Sequence, residues 1–265
     1  MSRCFTEVPD EVWNFPFRQQ EWVRVSRRFV EPMKKIIVTI DGPAGAGKST
    51  TARRVAERLG YVYIDTGAMY RAITLAALRQ GTPMNDHDLG ELASGTEIHM
   101  EPGFNGQTVM MNGEDVTKAI RQADVTSSVS QVSTFPTVRR ALVLRQRAMG
   151  FNGGVVMDGR DIGSVVFPNA EVKVFLIADP EERIRRRLAE ALDRGEQIDA
   201  DQVRAQIMGR DKLDSERADS PLIKPDGATE IDTTRLTIDN QVEQILELVH
   251  GYQKTYDLVS KFGNF

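Results

Sequence analysis

Ile36-Ile37-Val38-Thr39-Ile40-Asp41-Gly42-Pro43-Ala44-Gly45-Ala46-Gly47-Lys48-Ser49-Thr50 decides the fold. The β-branched run that ends at Asp41-Gly42 reads as a strand buried on both faces of a parallel sheet. The stretch Gly42 to Ser49 matches G-x-x-x-x-G-K-[ST] at every fixed position. Ala52, Val55, Ala56 and Leu59 then fall at helical spacing, with Gly60 placed as C-cap. Strand, glycine-rich loop and helix in that order make an anion cradle. The glycines let successive N–H groups turn toward one anion, and the helix N-terminus adds its partial positive charge. Lys48 is placed to reach the β- and γ-phosphates of a nucleoside triphosphate, and the Ser49 hydroxyl to ligate Mg²⁺. The expected ATP-binding set is Gly42, Pro43, Ala44, Gly45, Ala46, Gly47, Lys48, Ser49 and Thr50. Such a cradle serves ATPases, GTPases and kinases alike.

Outward from this loop the pattern alternates. Tyr61-Val62-Tyr63-Ile64 reads as a second strand, and a helix is predicted from about Gly67 to Arg79. Strand, helix, strand, helix is the mark of a parallel sheet with crossover helices. Val155-Val156-Met157, Val172 to Ile177 and Glu230-Ile231-Asp232 read as further strands. The alternation breaks at about 94–117. There Thr96 to Glu101 and Gln107 to Met111 are strand-like, split by Pro102-Gly103-Phe104-Asn105-Gly106, and Asn112-Gly113 is a second hairpin signal. This predicts a small antiparallel insert on an α/β scaffold. Helical spacing returns near Thr137 to Met149. Asp179-Pro180-Glu181-Glu182 then predicts a helix start, with Asp179 as N-cap and Glu182 closing a capping box. Ile184, Leu188 and Leu192 form its apolar stripe, and 199–213 reads as a polar, Arg-bearing helix, so a helical lid is expected over about 181–213. Ile238, Val242, Ile245, Leu246 and Val249 mark a closing helix.

The bulk numbers agree with one large α/β domain with insertions, or two small domains: 265 residues, 40% hydrophobic and 27% charged. A net charge of -4 argues against a general nucleic-acid coat protein, so no nucleic-acid partner is expected. With Cys4 the single cysteine, neither an intrachain disulfide nor a thiolate metal cage can form, which fits a cytoplasmic protein. There is no apolar run of about 18 residues to span a membrane. Nor is there a signal-peptide core near the N-terminus, where Trp13, Phe15 and Phe17 are interrupted by polar residues and Pro16. Residues 1–33 hold both tryptophans and show no period. Two readings stand: a start codon set too far upstream, with the protein proper beginning at Met33, or an appended docking arm. The first is the one adopted, which leaves 34–265 as the catalytic domain.

Three further motifs narrow the chemistry. Asp65-Thr66-Gly67-Ala68-Met69-Tyr70-Arg71 opens a helix after a strand, so its N–H groups offer a second anion site. Thr66 is equally readable as a plain N-cap, and Tyr70 as core. Arg71 offers a planar fork suited to a phosphate. Asp158-Gly159-Arg160-Asp161-Ile162-Gly163 sits at a strand's carboxyl end, where open parallel sheets bind ligands. Arg160 is suited to grip a phosphate, and Asp161 offers an acceptor for an amino group. The plainer reading of Asp161 is a partner for Arg160 or a turn cap. Arg210-Asp211, Asp214 and Arg217 complete the set as R-D-x-x-D-x-x-R.

Together with the glycine loop these motifs resemble, in order and in one register, the bacterial cytidylate kinases, from about Lys35 to about residue 250. The resemblance implies a three-layer P-loop kinase fold whose antiparallel insert lies in the monophosphate-binding arm. It implies transfer of the γ-phosphate of ATP, with Mg²⁺, to CMP or dCMP by a monomer. It also implies that Ser130 and Arg139, within Ser130-Gln131-Val132-Ser133-Thr134-Phe135-Pro136-Thr137-Val138-Arg139, join the acceptor site. With them come Thr66, Tyr70, Arg71, Arg160, Asp161, Arg210, Asp214 (to the ribose) and Arg217.

Arg183, Arg185, Arg186, Arg187 and Arg194 cluster on the predicted lid helix. Such a run is usually a solvated face. Its place between the acceptor motif and Arg210 makes it a candidate source of charge for the transferring phosphoryl group. Arg183 and Arg187, i and i+4, are the expected pair; with Lys48 and Arg160 they complete the expected catalytic set. A phosphate acceptor with a second pKa of about 6 needs no general base, and His87, His99 and His250 are isolated. The competing readings are a kinase that also takes UMP, a small-molecule P-loop kinase with another acceptor, and a nucleotide switch. A guanine-reading N-K-x-D is missing from the chain.

Overall fold

The computed structural model describes residues 35–262 apart from 104–105, 194 and 196–197. The chain divides between Met33 and Lys34, and all described residues belong to the longer unit. The expectations for residues 1–33 and for Arg194 lie outside the described residues.

Five parallel strands form the central sheet in the order β2 (Val62–Asp65), β6 (Val155–Gly159), β1 (Ile37–Asp41), β7 (Val172–Ile177) and β8 (Thr229–Asp232). β1 lies between β6 and β7 in parallel register, with Ile40 opposite Asp158 and Val174. The chain therefore leaves β1 toward one edge and later returns to fill the other. The crevice outside the carboxyl end of β1 is the switch point at which such sheets take ligands. On one face, α1 (Lys48–Leu59) and α8 (Ile238–Phe262) bury Ala52, Val55, Val242 and Ile245 against Ile36, Val38 and Ile40. On the other, Val143 and Met149 of α5 (Pro136–Gly150) pack with Ile64, Val155 and Met157. Three layers result, and β1 and β6 are buried on both sides, which is why they read as unbroken apolar runs.

The expected insert is a three-stranded antiparallel sheet of β3 (Ile98–Gly103), β4 (Gly106–Met111) and β5 (Glu114–Asp115). Val109 and Met111 join a second core with α2 (Thr66–Gln80), α3 (Asp86–Gly95) and α4 (Ala123–Val132). The segment expected as a lid is a hairpin of α6 (Pro180–Asp193) and α7 (Ala200–Glu216), held by a small cluster of Ile184, Val203 and Ile207 with Leu188.

Several local expectations need correction. Asp65, not Thr66, caps α2, accepting from the Ala68 N–H at 3.1 Å. The capping box at Asp179 does not form: Asp179 accepts from the Glu181 N–H at 2.8 Å, while Glu182 turns to Arg185 and Arg186. Leu192 is 68% exposed and leaves the stripe. Thr96 ends α3 instead of starting a strand. Helices α3 and α4 were not foreseen, because Gly90 and Gly95 interrupt the first and Thr126, Ser127, Ser128 and Ser130 dilute the second. Gly90 is needed, since a Cβ there would lie 2.5 Å from Thr137.

Two glycines separate strain from collision. Gly42 has φ +145°, and an added Cβ would lie 2.1 Å from the Leu176 carbonyl oxygen of β7. Gly60 has φ +66° and nothing within 4 Å. Gly60→Ala is expected to cost about 1 kcal/mol of stability, the penalty of the left-handed conformation alone. Gly42→Ala must also move a strand and is expected to cost roughly 3 kcal/mol or more. Urea midpoints of the two variants check the ordering.

Candidate active site

A cavity of about 570 Å³ opens at the carboxyl ends of β1, β2 and β6, within the range typical of small-molecule sites. One wall is the phosphate loop, where Gly47 (φ 92°) leads directly into α1. Lys48 is buried, and its Nζ donates to the Pro43 carbonyl at 2.7 Å. Burial, and then the charge of Arg160, holds the Lys48 ammonium well below its usual range. A phosphate group would relieve both. Ser49 donates its hydroxyl to Asp158 Oδ2 at 2.8 Å, and Tyr63 donates to Asp158 Oδ1 at 3.0 Å. Thr66 donates to the Asp158 carbonyl at 2.7 Å. Burial first, then Asp65, pushes the Asp158 carboxyl up to about 7.

The opposite wall carries the expected acceptor residues. Arg160 donates from Nε to Asp214 Oδ2 at 2.8 Å. Arg139 is buried, pairs with Asp161 and lies over the Tyr70 ring at 5.8 Å. Arg217 stands 4.0 Å from Asp161 and 3.9 Å from Asp214. Asp161 thus pairs with Arg139 and not with Arg160. Arg71 donates to Thr126 Oγ1 at 2.8 Å. Burial pushes Arg71 down to about 10, with Arg187 and Arg121 adding to it against Asp65. Burial and then Arg160 push Arg210 down to about 9. Arg139 Nε, Arg210 Nε and Arg217 Nη2 are buried without a hydrogen-bond partner among the described residues. Guanidinium groups crowded together, desolvated and left with open N–H groups describe a site shaped for an anion.

Of the expected residues, Ala44, Gly45, Gly47, Lys48, Ser49, Thr50, Thr66, Tyr70, Arg71, Arg139, Arg160, Asp161, Arg187, Arg210, Asp214 and Arg217 line this cavity. Gly42, Pro43, Ala46, Ser130 and Arg183 stand behind it. From α4 and its C-cap the lining residues are Val129 and Ser133, and Ser133 donates to the Ser130 carbonyl. The expected arginine pair is split. Arg187 borders the cavity beside Glu190, at 2.8 Å. Arg183 is buried, donating to Asp211 Oδ2 at 2.6 Å and to the Ala44 carbonyl at 3.2 Å. Tyr63, Asp65, Gln107 and Arg121 also line the cavity and were not foreseen. Gln107 reaches from the insert to β2, donating to the Tyr63 carbonyl at 2.6 Å and accepting from the Asp65 N–H at 3.1 Å. Tyr63 was readable in principle, since it lies near the end of a strand that stops at the switch point. No pattern in the sequence marks Gln107.

The family model described as cytidylate kinase matches residues 38–251. The chain belongs to the cytidylate kinase family. The cytidylate kinase of Anoxybacillus flavithermus is 54% identical over 217 residues, 82% of this chain and 96% of that protein. That of Geobacillus kaustophilus is 54% identical over 218 residues, with shares of 82% and 97%. That of Exiguobacterium sibiricum is 52% identical over 223 residues, spanning 84% of this chain and all of that protein. Members of the family are ATP-dependent phosphotransferases, and the cavity at the end of the sheet lies within the matched region. No helix among the described residues is long and apolar enough to cross a membrane.

The Asp158 carboxyl makes a sign prediction for the nucleotide-free, metal-free protein. Its folded pKa, about 7, lies above the ordinary 3.8. The folded state therefore holds a proton that the unfolded chain releases. Asp158 destabilises the fold progressively as pH rises from about 4 to about 7, and above that its cost is constant. Asp158→Asn removes this contribution. The unfolding free energy of the variant minus that of the parent, from urea titrations in EDTA, is expected to climb across that window by an amount on the order of 2–4 kcal/mol. A flat difference contradicts the assignment.

Proposed function

We propose that this chain transfers the γ-phosphoryl group of ATP to CMP or dCMP, giving ADP and CDP or dCDP. One observation carries the reading: the phosphate loop and the crowded arginines face one another across a single cavity at the end of β1 and β6. The triphosphate lies along the backbone N–H groups of the loop and α1, with Lys48 released from the Pro43 carbonyl to meet it. A second cavity at the ends of β7 and β8, lined by residues 177–179, Asp232 and residues 234–236, lies beside Thr233, which donates to the Ala46 carbonyl of this loop at 3.0 Å, and suits the nucleoside end of ATP. The acceptor phosphate falls among Arg71, Arg160 and Arg210. The base lies against Tyr70 and Arg139, where Asp161 accepts from the C4 amino group. Asp214 faces the ribose.

The acceptor oxygen is already ionised at neutral pH, so catalysis reduces to alignment and charge neutralisation. Lys48 and Arg187 flank the space between the two nucleotides. Arg183, from behind, fixes the loop and the lid to each other. The lid closes over the pair and keeps water, the competing acceptor, out. The Ser49 hydroxyl and the Asp158 carboxylate lie together, 2.8 Å apart, and are hard oxygen ligands of the kind Mg²⁺ takes. When bound there it neutralises charge on the β- and γ-phosphates. On this reading the enzyme acts as a monomer on free nucleotides in the cytoplasm, away from nucleic acid and membrane.

ADP release measured with CMP, dCMP, UMP and AMP side by side is expected to favour the two cytidine nucleotides. Lys48→Ala is expected to lower turnover by about two orders of magnitude or more with the fold intact. Equal rates with all four acceptors, or a fully active Lys48→Ala, would rule the reading out. Asp161→Asn, which can both donate and accept, is expected to raise UMP use relative to CMP by about tenfold or more. An unchanged ratio removes Asp161 from base recognition.

A further inference from the structure

Asp41 is fully buried, yet it takes no part in the transfer just proposed. It ends β1 immediately before the phosphate loop. Its Oδ1 accepts from the Ile162 N–H at 2.8 Å and its Oδ2 from the Gly163 N–H at 2.7 Å. These two N–H groups come directly after Arg160 and Asp161. On the other side of that pair, Gly159 is held opposite Asp41 by the β1–β6 register. Arg160 and Asp161 therefore ride on a two-residue hoop with both feet tied to β1, one foot by the sheet and the other by the Asp41 side chain. The tie needs close approach. A Cβ on Gly163 would lie 2.8 Å from Thr39 Oγ1 and 3.2 Å from Asp41 Oδ2. Beyond the hoop the backbone forms a π-helical turn, Ile162–Val166, in which the Asp161 carbonyl accepts from the Val165 and Val166 N–H groups at 2.9 and 3.2 Å. The far end of this turn is held by Arg147 of α5, which donates to the Val166 and Val165 carbonyls at 3.0 and 2.7 Å.

We propose that Asp41 is a positioning residue for the acceptor nucleotide, setting Arg160 and Asp161 from the strand that carries the ATP loop, with Arg147 holding the same turn from its other end. This rests on the acceptor roles proposed for Arg160 and Asp161 and assigns a new cause for their placement. Neither the Asp41 nor the Arg147 side chain lines the substrate cavity. A carboxylate suits the task because it accepts two parallel N–H bonds at once. An amide at the same place can accept only one, and sets its own N–H₂ against the other. Asp41→Asn also removes a buried charge, so its effect on fold stability and its effect on the hoop are separable.

The test is steady-state kinetics of the full chain with CMP, UMP and ATP, alongside urea midpoints. Losing one hydrogen bond to a charged group in Asp41→Asn is expected to raise KM for CMP about tenfold. KM for ATP is expected to stay within about twofold, and the CMP-to-UMP preference to fall by about threefold or more, because Asp161 loses its aim. Arg147 is exposed on α5, and its hydrogen bonds go to the turn and not to the phosphate loop. Arg147→Met is expected to shift CMP and the base preference in the same direction, and it carries the test alone should Asp41→Asn not fold. An unchanged CMP KM and base ratio in the folded variants overturns the proposal. So does a parallel rise of the CMP and ATP constants, which is what mere loosening of the sheet would give. The parent enzyme keeps this separate from the function itself. If it phosphorylates CMP while the variants match it, only the positioning role falls; if it phosphorylates no pyrimidine mononucleotide, both fall.

Discussion

The end of the sheet holds more guanidinium charge out of water than its carboxylates neutralise. Arg139 and Arg217 are buried beside Asp161 and Asp214, and Arg160 takes the one good bond that Asp214 offers. Arg210 and Arg71 are left with pKa values pushed down to about 9 and 10 by that burial. Desolvating such charges costs several kcal/mol each unless they are well paired. Arg71 and Arg139 stand on α2 and α5, which back onto hydrophobic cores, while Arg160 follows β6 directly and Arg210 stands on α7. A bound phosphate supplies the missing negative charge in a medium of low effective dielectric, where each contact is worth more than in water.

Asp158 bears the same logic in reverse. It is a buried carboxylate whose oxygens are taken up by Ser49 and Tyr63 and whose carbonyl is taken by Thr66. In this way the end of β6 is linked to α1, β2 and α2 at once. The donor loop and the acceptor helix are thus joined through one residue at the middle of the sheet. Asp41, one strand over, makes a comparable link to the turn beyond Arg160 and Asp161. Two buried carboxylates side by side at strand ends, each spent on backbone or hydroxyl donors, leave the arginines as the charged groups with open N–H bonds around the cavity.

The glycine loop, the parallel strands and the antiparallel insert were legible because each is a local pattern: a fixed spacing, a β-branched run, a hairpin signal. Most residues expected to bind the acceptor were picked out by motif, and they line one cavity because strand ends, first turns of α2 and α5, and the end of α7 converge there. What was not legible depends on partners distant in sequence. Nothing near Gln107 announces that its amide will dock on Tyr63 and Asp65. Nothing in Asp41-Gly42 says that the aspartate will reach Ile162. Arg139 pairing with Asp161, and Arg160 with Asp214, could not be chosen over the reverse, because the choice is made by how α5 and α7 approach the end of β6. Thr66 gave up the cap to Asp65 because its hydroxyl was already drawn to the Asp158 carbonyl on the neighbouring strand.

The two lid arginines show how little spacing alone decides. Arg183 and Arg187 share a face of α6 and are separated by one helical turn, a rise of about 6 Å. The first lies over the phosphate loop, so close that a Cβ on Gly45 would sit 3.0 Å from its own Cβ. It is therefore buried and bonded to the Ala44 carbonyl and Asp211. The second overhangs the open cavity, with Glu190 as its neighbour. A single turn of helix thus divides one charge pattern into an anchor and a cation that faces the cavity. The anchor is what gives that cation a defined place, because Arg183 ties α6, α7 and the phosphate loop together at their common point of contact. Arg186, next in line, adds a bond from its Nη2 to the Thr233 carbonyl at 2.6 Å, fastening the same turn of α6 to the end of β8. Arg183 and Arg186 thus hold the start of α6 to the phosphate loop and to the end of β8, and Arg187 borders the cavity from that base.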